Sequence, residues 1–360
     1  MRALQSKRIW LLLLLVGILF VFMWANHAIK VRKMTQKIDS LPMRTVCLGR
    51  FVMDVPADAI VTYGRAAVTG WDFETLDDES DELFAARLKS KEVELITERN
   101  ERNGQSLESV REIKTASVHG KIFVYGRQWV KMGTGKPPRT DEIVSIDAYV
   151  HMNGVSYKLR GKIHREDDVK ELESILARWI PLNEGEIPTH AGFCFDRAML
   201  SGELGAQHHE FAVMFVGLQN HPDLSIALSS IAGTKPGKTF LQREAENSTK
   251  IENPSRFRTL RQGSRSLNEI PGEEVLDHVS ELNGSELQGF MWESLTKEGD
   301  IYLPSLSLEF DTGYGKPGSP VNSSFSDSEA LALWDKISSS LRHRPTKENP
   351  TSSQSASATP

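Results

Sequence analysis

The chain has 360 residues, a formal net charge of −5 and 25% charged residues. That balance is too near neutral to suggest nucleic acid as a partner, and no basic stripe with interleaved aromatics runs through the sequence. With 39% hydrophobic residues the chain reads as an ordinary globular body.

One segment stands apart from that body. Ile9 to Ala25, IWLLLLLVGILFVFMWA, is uncharged and close to the lower limit for crossing a bilayer as a helix. Leucine surrounds the whole predicted helix, so no amphipathic face remains for a soluble core. Arg2, Lys7 and Arg8 precede the segment, as a cytoplasmic N-terminus would have them, while Lys30, Arg32, Lys33 and Lys37 follow it. The exit from Met23 to Ala28 is a poor small-x-small cleavage site. The segment therefore reads as an uncleaved anchor with the body exported, cleavage being the alternative. The remaining length, roughly 300 residues, predicts two domains. Cys47 and Cys194 are the only cysteines. They pair in an oxidising compartment or stay free and buried, because sequence gives no distance between them. As a pair they are too few for a metal site.

The order of elements repeats. Cys47 opens a first half in TVCLGRFVMDVP and Cys194 a second in AGFCFDRAMLSG. In the first half, Glu79 to Glu98 predicts a charged helix with Phe84, Leu88 and Leu95 on one face. Lys238 to Glu246 is its shorter counterpart. Gly126–Trp129 is echoed by Gly289–Trp292. Val144, Ile146, Ala148 and Val150 alternate before Asn153-Gly154, and Val155, Tyr157 and Leu159 alternate after it, which predicts a hairpin. Asn283-Gly284, between Glu273–Leu282 and Leu287–Leu295, reads the same way with less regular alternation. Val169, Leu172, Leu176 and Trp179 predict a closing helix stopped by Pro181. Leu331, Trp334, Ile337 and Leu341 predict another stopped by Pro345. Ser326 and Glu329 supply a capping box for the latter, and Arg342 and Arg344 suit its C-terminal dipole. The expected fold class is α+β, two similar and duplicated domains behind a transmembrane helix. The expected boundaries are an anchor at 1–30, domains at 40–182 and 193–345, a linker at 183–192 and a disordered tail at 346–360.

The search for chemistry returns little. No G-x-S-x-G elbow is present. Gly313–Gly318 and Lys131–Pro138 are glycine-rich but lack phosphate-loop spacing, so both read as turns. His208-His209-Glu210 is the most metal-like cluster. Adjacent strand residues point to opposite faces, however, so the cluster reads as a solvent-facing strand start. The acidic stretch Asp72 to Glu82 reads as a solvated helix start that could also meet a basic partner. Trp129, Trp179, Trp292 and Trp334 read as core, and Trp71 as the best exposed aromatic. The sequence therefore assigns no catalytic, cofactor-binding or metal-binding residue, no cofactor and no enzymatic activity.

Six segments carry a family resemblance. They are VCLGRFVMDVP, PTHAGFCFDRAMLSGE, NHPDLSIAL, PGEEVL, GFMWE and the terminal ALWDKISSSLRHRP. Together, over roughly Cys47 to Pro345, they resemble the immunity proteins that bacteria with type VI secretion systems make against an antibacterial phospholipase effector, the class 4 lipase immunity proteins. The resemblance implies a periplasmic inhibitor. Its two α+β domains would clasp the lipase like a claw and keep substrate from its active site. Residues 9–25 would hold it at the inner membrane. The alternative is a membrane-anchored periplasmic sensor or enzyme with an unfamiliar small-ligand site.

Overall fold

A computed structural model of the protein describes residues 36–132, 139–202 and 209–346. The first half runs β1 (Met43–Leu48), β2 (Phe51–Pro56), β3 (Ile60–Val68), β4 (Trp71–Asp78), α1 (Asp81–Thr97), β5 (Leu107–Lys114), β6 (His119–Met132), β7 (Arg139–Met152), β8 (Val155–His164), α2 (Val169–Ala177) and β9 (Trp179–Pro181). The second runs β10 (Gly192–Phe195), β11 (Ala198–Ser201), β12 (Glu210–Leu218), β13 (His221–Ala232), α3 (Phe240–Glu244) and α4 (Ser248–Glu252). It continues through β14 (Phe257–Ser264), β15 (Gly272–Ser280), β16 (Glu286–Ser294), β17 (Ser305–Asp311), α5 (Asp327–Ser338) and β18 (Arg342–His343).

Local chemistry explains several of these elements. Asn153 and Gly154 both take positive φ, so the two-residue turn matches the twist of β7 and β8. At the second Asn-Gly pair only Gly284 has positive φ. Glu281 N donates to Ser285 O, leaving a three-residue loop, which explains the looser pattern read there. Helix α1 starts where Ser80 accepts a hydrogen bond from Leu83 N, and it buries Phe84, Leu88 and Leu95. Helix α5 starts with the full Ser326–Glu329 capping box.

The strands form one twelve-stranded antiparallel sheet in the order β14-β15-β16-β17-β13-β12-β3-β4-β8-β7-β6-β5. Read outward from its middle, the order in one half repeats that in the other, with β12 answering β3, β13 answering β4 and β17 answering β8. The sheet is thus two copies of a six-stranded pattern joined edge to edge through β3 and β12. The molecule is predominantly β. The α+β expectation of two separate domains gives way to two similar modules sharing a sheet, because β3 pairs with β12 over most of its length.

Two small sheets lock the modules together. The hairpin β1–β2 of the first module takes β18 from the second, and the hairpin β10–β11 of the second takes β9 from the first. Gly49 and Cys194 exchange backbone hydrogen bonds between the two hairpins, and Cys47 bonds to Cys194 with a Cα separation of 6.1 Å. The pairing left open by the sequence is therefore made, between matching positions of the two modules. Beside it, Arg50 and Glu210 form a bidentate pair at 2.6 and 3.1 Å, each side chain 3% exposed. A buried pair of this kind specifies geometry, since losing either partner strands a charge.

The main core fills one face of the large sheet, under the small sheets, α2 and α5. Trp71 lies here, fully buried, stacked on His164 at 4.0 Å, with Nε1 donating to Glu171 at 3.3 Å. Gly161 makes that stack possible, because a Cβ there would sit 2.3 Å from His164 and 2.7 Å from Trp71. The opposite, outer face carries α1 over β6 and β7, where Phe84, Leu88, Leu95, Phe123 and Tyr149 form a second core. It carries α3 and α4 over β15, through Leu241 N to Glu273 and Lys250 to Asp277.

Several expectations are corrected. Trp71 is core, whereas Trp129 is half-exposed, with Arg102 over its ring at 3.6 Å and Nε1 donating to Glu142. The Gly126–Trp129 echo is coincidental: Gly126 and Trp129 lie on β6, whereas Gly289 and Trp292 lie on β16, which answers β7. Residues 72–78 are strand β4, and only Asp81 and Glu82 belong to the first turn of α1. Trp179 lies beyond α2, on β9, and Leu341 beyond α5. Arg342 pairs with Asp54, and Arg344 donates to the carbonyls of Pro188, His190 and Gly192. Tertiary partners therefore take the role assigned to the helix dipole. No helix among the described residues is long and apolar enough to cross a membrane. The segment Ile9–Ala25 and the tail from 347 onward lie outside the described residues.

Candidate functional site

Three places could carry function. The first resembles a hydrolase constellation. His151 Nδ1 lies 2.9 Å from Ser156 Oγ, and His151 Nε2 lies 3.3 Å from Asp81 Oδ1. The geometry does not support nucleophilic catalysis. Ser156 is fully buried, and its hydroxyl donates to Glu79 Oε2 at 2.6 Å. The His151 Nδ1–H must then donate to Ser156 Oγ, the reverse of what a general base does for a nucleophile. Burial holds the His151 pKa below its ordinary value, outweighing the nearby carboxylate of Asp81. Glu79 is also paired with Arg87 at 2.9 Å. The cluster ties the start of α1 to β7 and β8.

The second place is a split in the sheet. Strands β3 and β4 pair only from Ala66–Phe73 to Val68–Trp71 and then diverge. The β10–β11 turn, with Asp196 and Arg197, enters the gap. It leaves a cleft of about 260 Å³ lined by Arg44, Tyr63, Glu184, Glu186 and Asp196. Burial pushes the Asp196 carboxyl up, against the pull of Arg197. Burial and Asp196 together push the Tyr63 hydroxyl up to about 12, while its O–H donates to Cys47 O at 3.1 Å. These groups are engaged in joining the modules.

The third place is the outer face between the helices. Strands β3, β12, β13 and β17 carry no described element on that side. Phe215 is 44% exposed and Ile60 52%. Phe211, Val213, Ala227 and Ile231 are half-buried beside them. Glu309 and Asp311 stand on the same face of β17, and neither has an ion pair among the described residues. Burial, with Glu309 adding to it, pushes the Asp311 pKa up to about 6.

The singled-out residues end in varied settings. Glu210 is buried against Arg50 instead of facing solvent, His209 is exposed, and His208 lies outside the described residues. No group of three or more metal-ligating side chains occurs among the described residues. Gly313 is buried at the start of a loop that is exposed from Tyr314 through Gly318, and residues 133–138 lie outside the described ones. Sequence reasoning missed the outer face, although the exposed-phase apolar residues Phe211, Val213 and Phe215 alternate along β12 and so carried a signal.

Fold and sites together define a two-module protein built on one large shared sheet. Among the described residues, no element covers the outer face of β3, β12, β13 and β17, and the His151 and Asp196 clusters hold structural elements together. Two family models match the chain: the Tle cognate immunity protein 4 N-terminal domain over residues 44–177, and the C-terminal domain over residues 186–346. The chain belongs to the Tle cognate immunity protein 4 family. Among solved structures it is similar to the apo immunity protein TplEi of the type VI secretion system of Pseudomonas aeruginosa. The two are 28% identical with a TM-score of 0.70, over 86% of this chain and 99% of that one. TplEi complexed with an "L" peptide matches at 26% identity and a TM-score of 0.66, over 84% and 99%. The Tle4–Tli4 complex matches at 27% identity and a TM-score of 0.68, over 84% and 98%. No curated relative matches the chain.

Proposed function

We propose that this protein binds a cognate type VI secretion phospholipase effector in the periplasm and blocks substrate access to it. The observation that carries this reading is the likeness of both modules, in order, to a chain solved in the Tle4–Tli4 complex, over 98% of that chain. The Cys47–Cys194 bond suits an oxidising, exported compartment. Residues 1–30 anchor the body at the inner membrane, through 9–25, beside the lipid the effector attacks. Tethering there raises effective concentration without adding a contact. The modules are residues 40–182 and 193–345, with 183–192 joining them and 346–360 a solvated tail.

The test is co-expression. The cognate lipase is directed to the periplasm of a test bacterium with and without this protein. Protection from lysis, with a co-purifying complex, is the expected result. Lysis and no complex, with the protein verified as exported and folded, overturns the reading.

A further inference from the structure

The segment that joins the modules packs against the Cys47–Cys194 bond and is fixed at three points. Leu182 N donates to Arg197 O at 2.8 Å. Asn183 and Glu186 then close a turn on themselves. Glu186 N donates to Asn183 O at 3.0 Å, while Asn183 N and Nδ2 donate to Glu186 Oε2 at 3.0 and 2.8 Å. Gly185 supplies the positive φ of that turn. The third point comes from far along the chain. Arg344, 5% exposed, donates from Nη1 to the carbonyls of Pro188 and His190 at 2.7 and 2.6 Å, and from Nη2 to Gly192 O at 2.6 Å.

What the segment covers is a small core of its own. Cys47, Val52, Cys194 and Met199 form it, and Leu182 and Ile187 lie against it from the joining segment. The two cysteines are 4% and 1% exposed. Exchange requires a thiolate to reach a disulfide sulfur, so a covered disulfide exchanges when its cover lifts. The cleft between the modules touches both Cys47 and residues 182–187, so lifting the segment widens an approach to the sulfurs. Arg344 governs that movement. Its three acceptors are carbonyls in a buried setting, and hydrogen bonds from a charged donor are the strong kind. Arg344 follows β18, which pairs with β2, and its own N–H donates to Arg50 O. The guanidinium is therefore in place once the C-terminal strand has docked.

We infer that residues 182–192 are a strap that seals the Cys47–Cys194 bond, that Arg344 is its buckle, and that an external disulfide donor makes the bond before the buckle closes. Making the bond moves two electrons from the two thiols to the donor, whose own disulfide opens and takes up the two protons. Arg344 lies 152 residues beyond Gly192. A chain that appears N-terminus first at about 5–20 residues per second leaves on the order of ten seconds for that step. Disulfide formation takes seconds and longer, so the interval is of the right size. The inference goes beyond the immunity reading and does not depend on it.

The experiment uses the purified full-length protein in mild detergent. Dithiothreitol is added without denaturant, and free thiols are trapped and counted by mass at intervals. Arg344→Ala should be reduced at least about 30-fold faster than wild type, and Glu186→Ala, which opens the strap's own turn, about 3-fold faster. Phe240→Ala, a destabilising change on the outer face, should be reduced at the wild-type rate. In the reverse direction, reduced and refolded wild type should be oxidised by oxidised glutathione at least about 30-fold more slowly than reduced Arg344→Ala. Arg344→Lys provides a milder variant if alanine disturbs folding, and melting of each variant checks that it folds. Wild type reduced as fast as the urea-unfolded chain overturns the seal. Arg344 and Glu186 variants that fold and keep the wild-type rate overturn the strap and its buckle. Phe240→Ala reduced as fast as Arg344→Ala shows that the whole fold must open, which also overturns the strap. Fast oxidation of the folded, reduced wild type overturns the order of events.

Discussion

The two modules share a topology and hold it together by different means. On the outer face of the first, α1 runs 17 residues and buries Phe84, Leu88 and Leu95 on Phe123 and Tyr149. In the second, α3 and α4 have five residues each, and of their side chains only Phe240 is buried. Charged ties replace the missing apolar stripe: Lys250 to Asp277, Arg243 to Glu293, and Leu241 N to Glu273. On the inner face the contrast recurs. Trp71 of the first module is gripped by stacking on His164. Trp334 of the second donates to Glu274, a carboxylate that also accepts from Arg261 and Arg265. Strand order is preserved by the sheet ladder itself, while each module covers the sheet in its own way.

The largest expected effect falls where the modules meet. Glu210→Ala leaves Arg50 buried and uncompensated and should cost about 3–5 kcal/mol in urea unfolding. The double variant Arg50→Met with Glu210→Leu should recover most of it. A loss under about 1 kcal/mol for the single variant would show that the junction is not dry. Next comes the covalent link. Cys47→Ala with Cys194→Ala opens a crosslink spanning 147 residues and should cost about 2–4 kcal/mol.

The contrast between modules is sharpened by matched truncations. Phe84→Ala should lose about 3–5 kcal/mol, as a buried aromatic does, and Phe240→Ala clearly less. Equal losses would break the comparison, since both helical covers would then be apolar in energetic terms.

The smallest effect concerns His278, held between Asp327 at 2.8 Å and Glu286 at 2.7 Å. Burial opposes its charged form, yet the two carboxylates outweigh burial and raise its pKa above the ordinary value. Burial likewise opposes ionisation of Asp327, but His278, Gln288 and Arg258 hold its pKa down at about 2. A raised histidine pKa stabilises the fold below its unfolded value of about 6.5 and loses that contribution as pH rises through the folded value. The lowered Asp327 contributes above about 4 and loses its contribution as pH falls toward 2. Wild type should therefore exceed His278→Gln by under about 1 kcal/mol between about pH 4 and 6.5, and the gap should close by pH 9. A gap that widens with pH would contradict the imidazolium assignment.

Elements whose signal lies within one turn of chain match the structure. Asn153-Gly154 specifies its own turn through positive φ. Ser326 and Glu329 specify a helix start within one turn of chain, and Phe84, Leu88 and Leu95 specify a buried stripe. Trp71 and Trp129 were exchanged because an indole in a strand reads alike on either face, and only the neighbours decide which face is covered. The acidic run at 72–78 became strand because β8 offered it a ladder, which outweighed its suitability for a helix start.

The amino-acid sequence by itself determined the duplicated order of elements, the two closing helices and the family resemblance, since all of these follow from spacing along the chain. Tertiary structure alone decided that the two modules share one sheet and that each donates its last strand to the other's opening hairpin. It also decided that Cys47 and Cys194 meet. All but the β9–β11 pairing depend on contacts between residues more than a hundred positions apart, where chain spacing carries no distance.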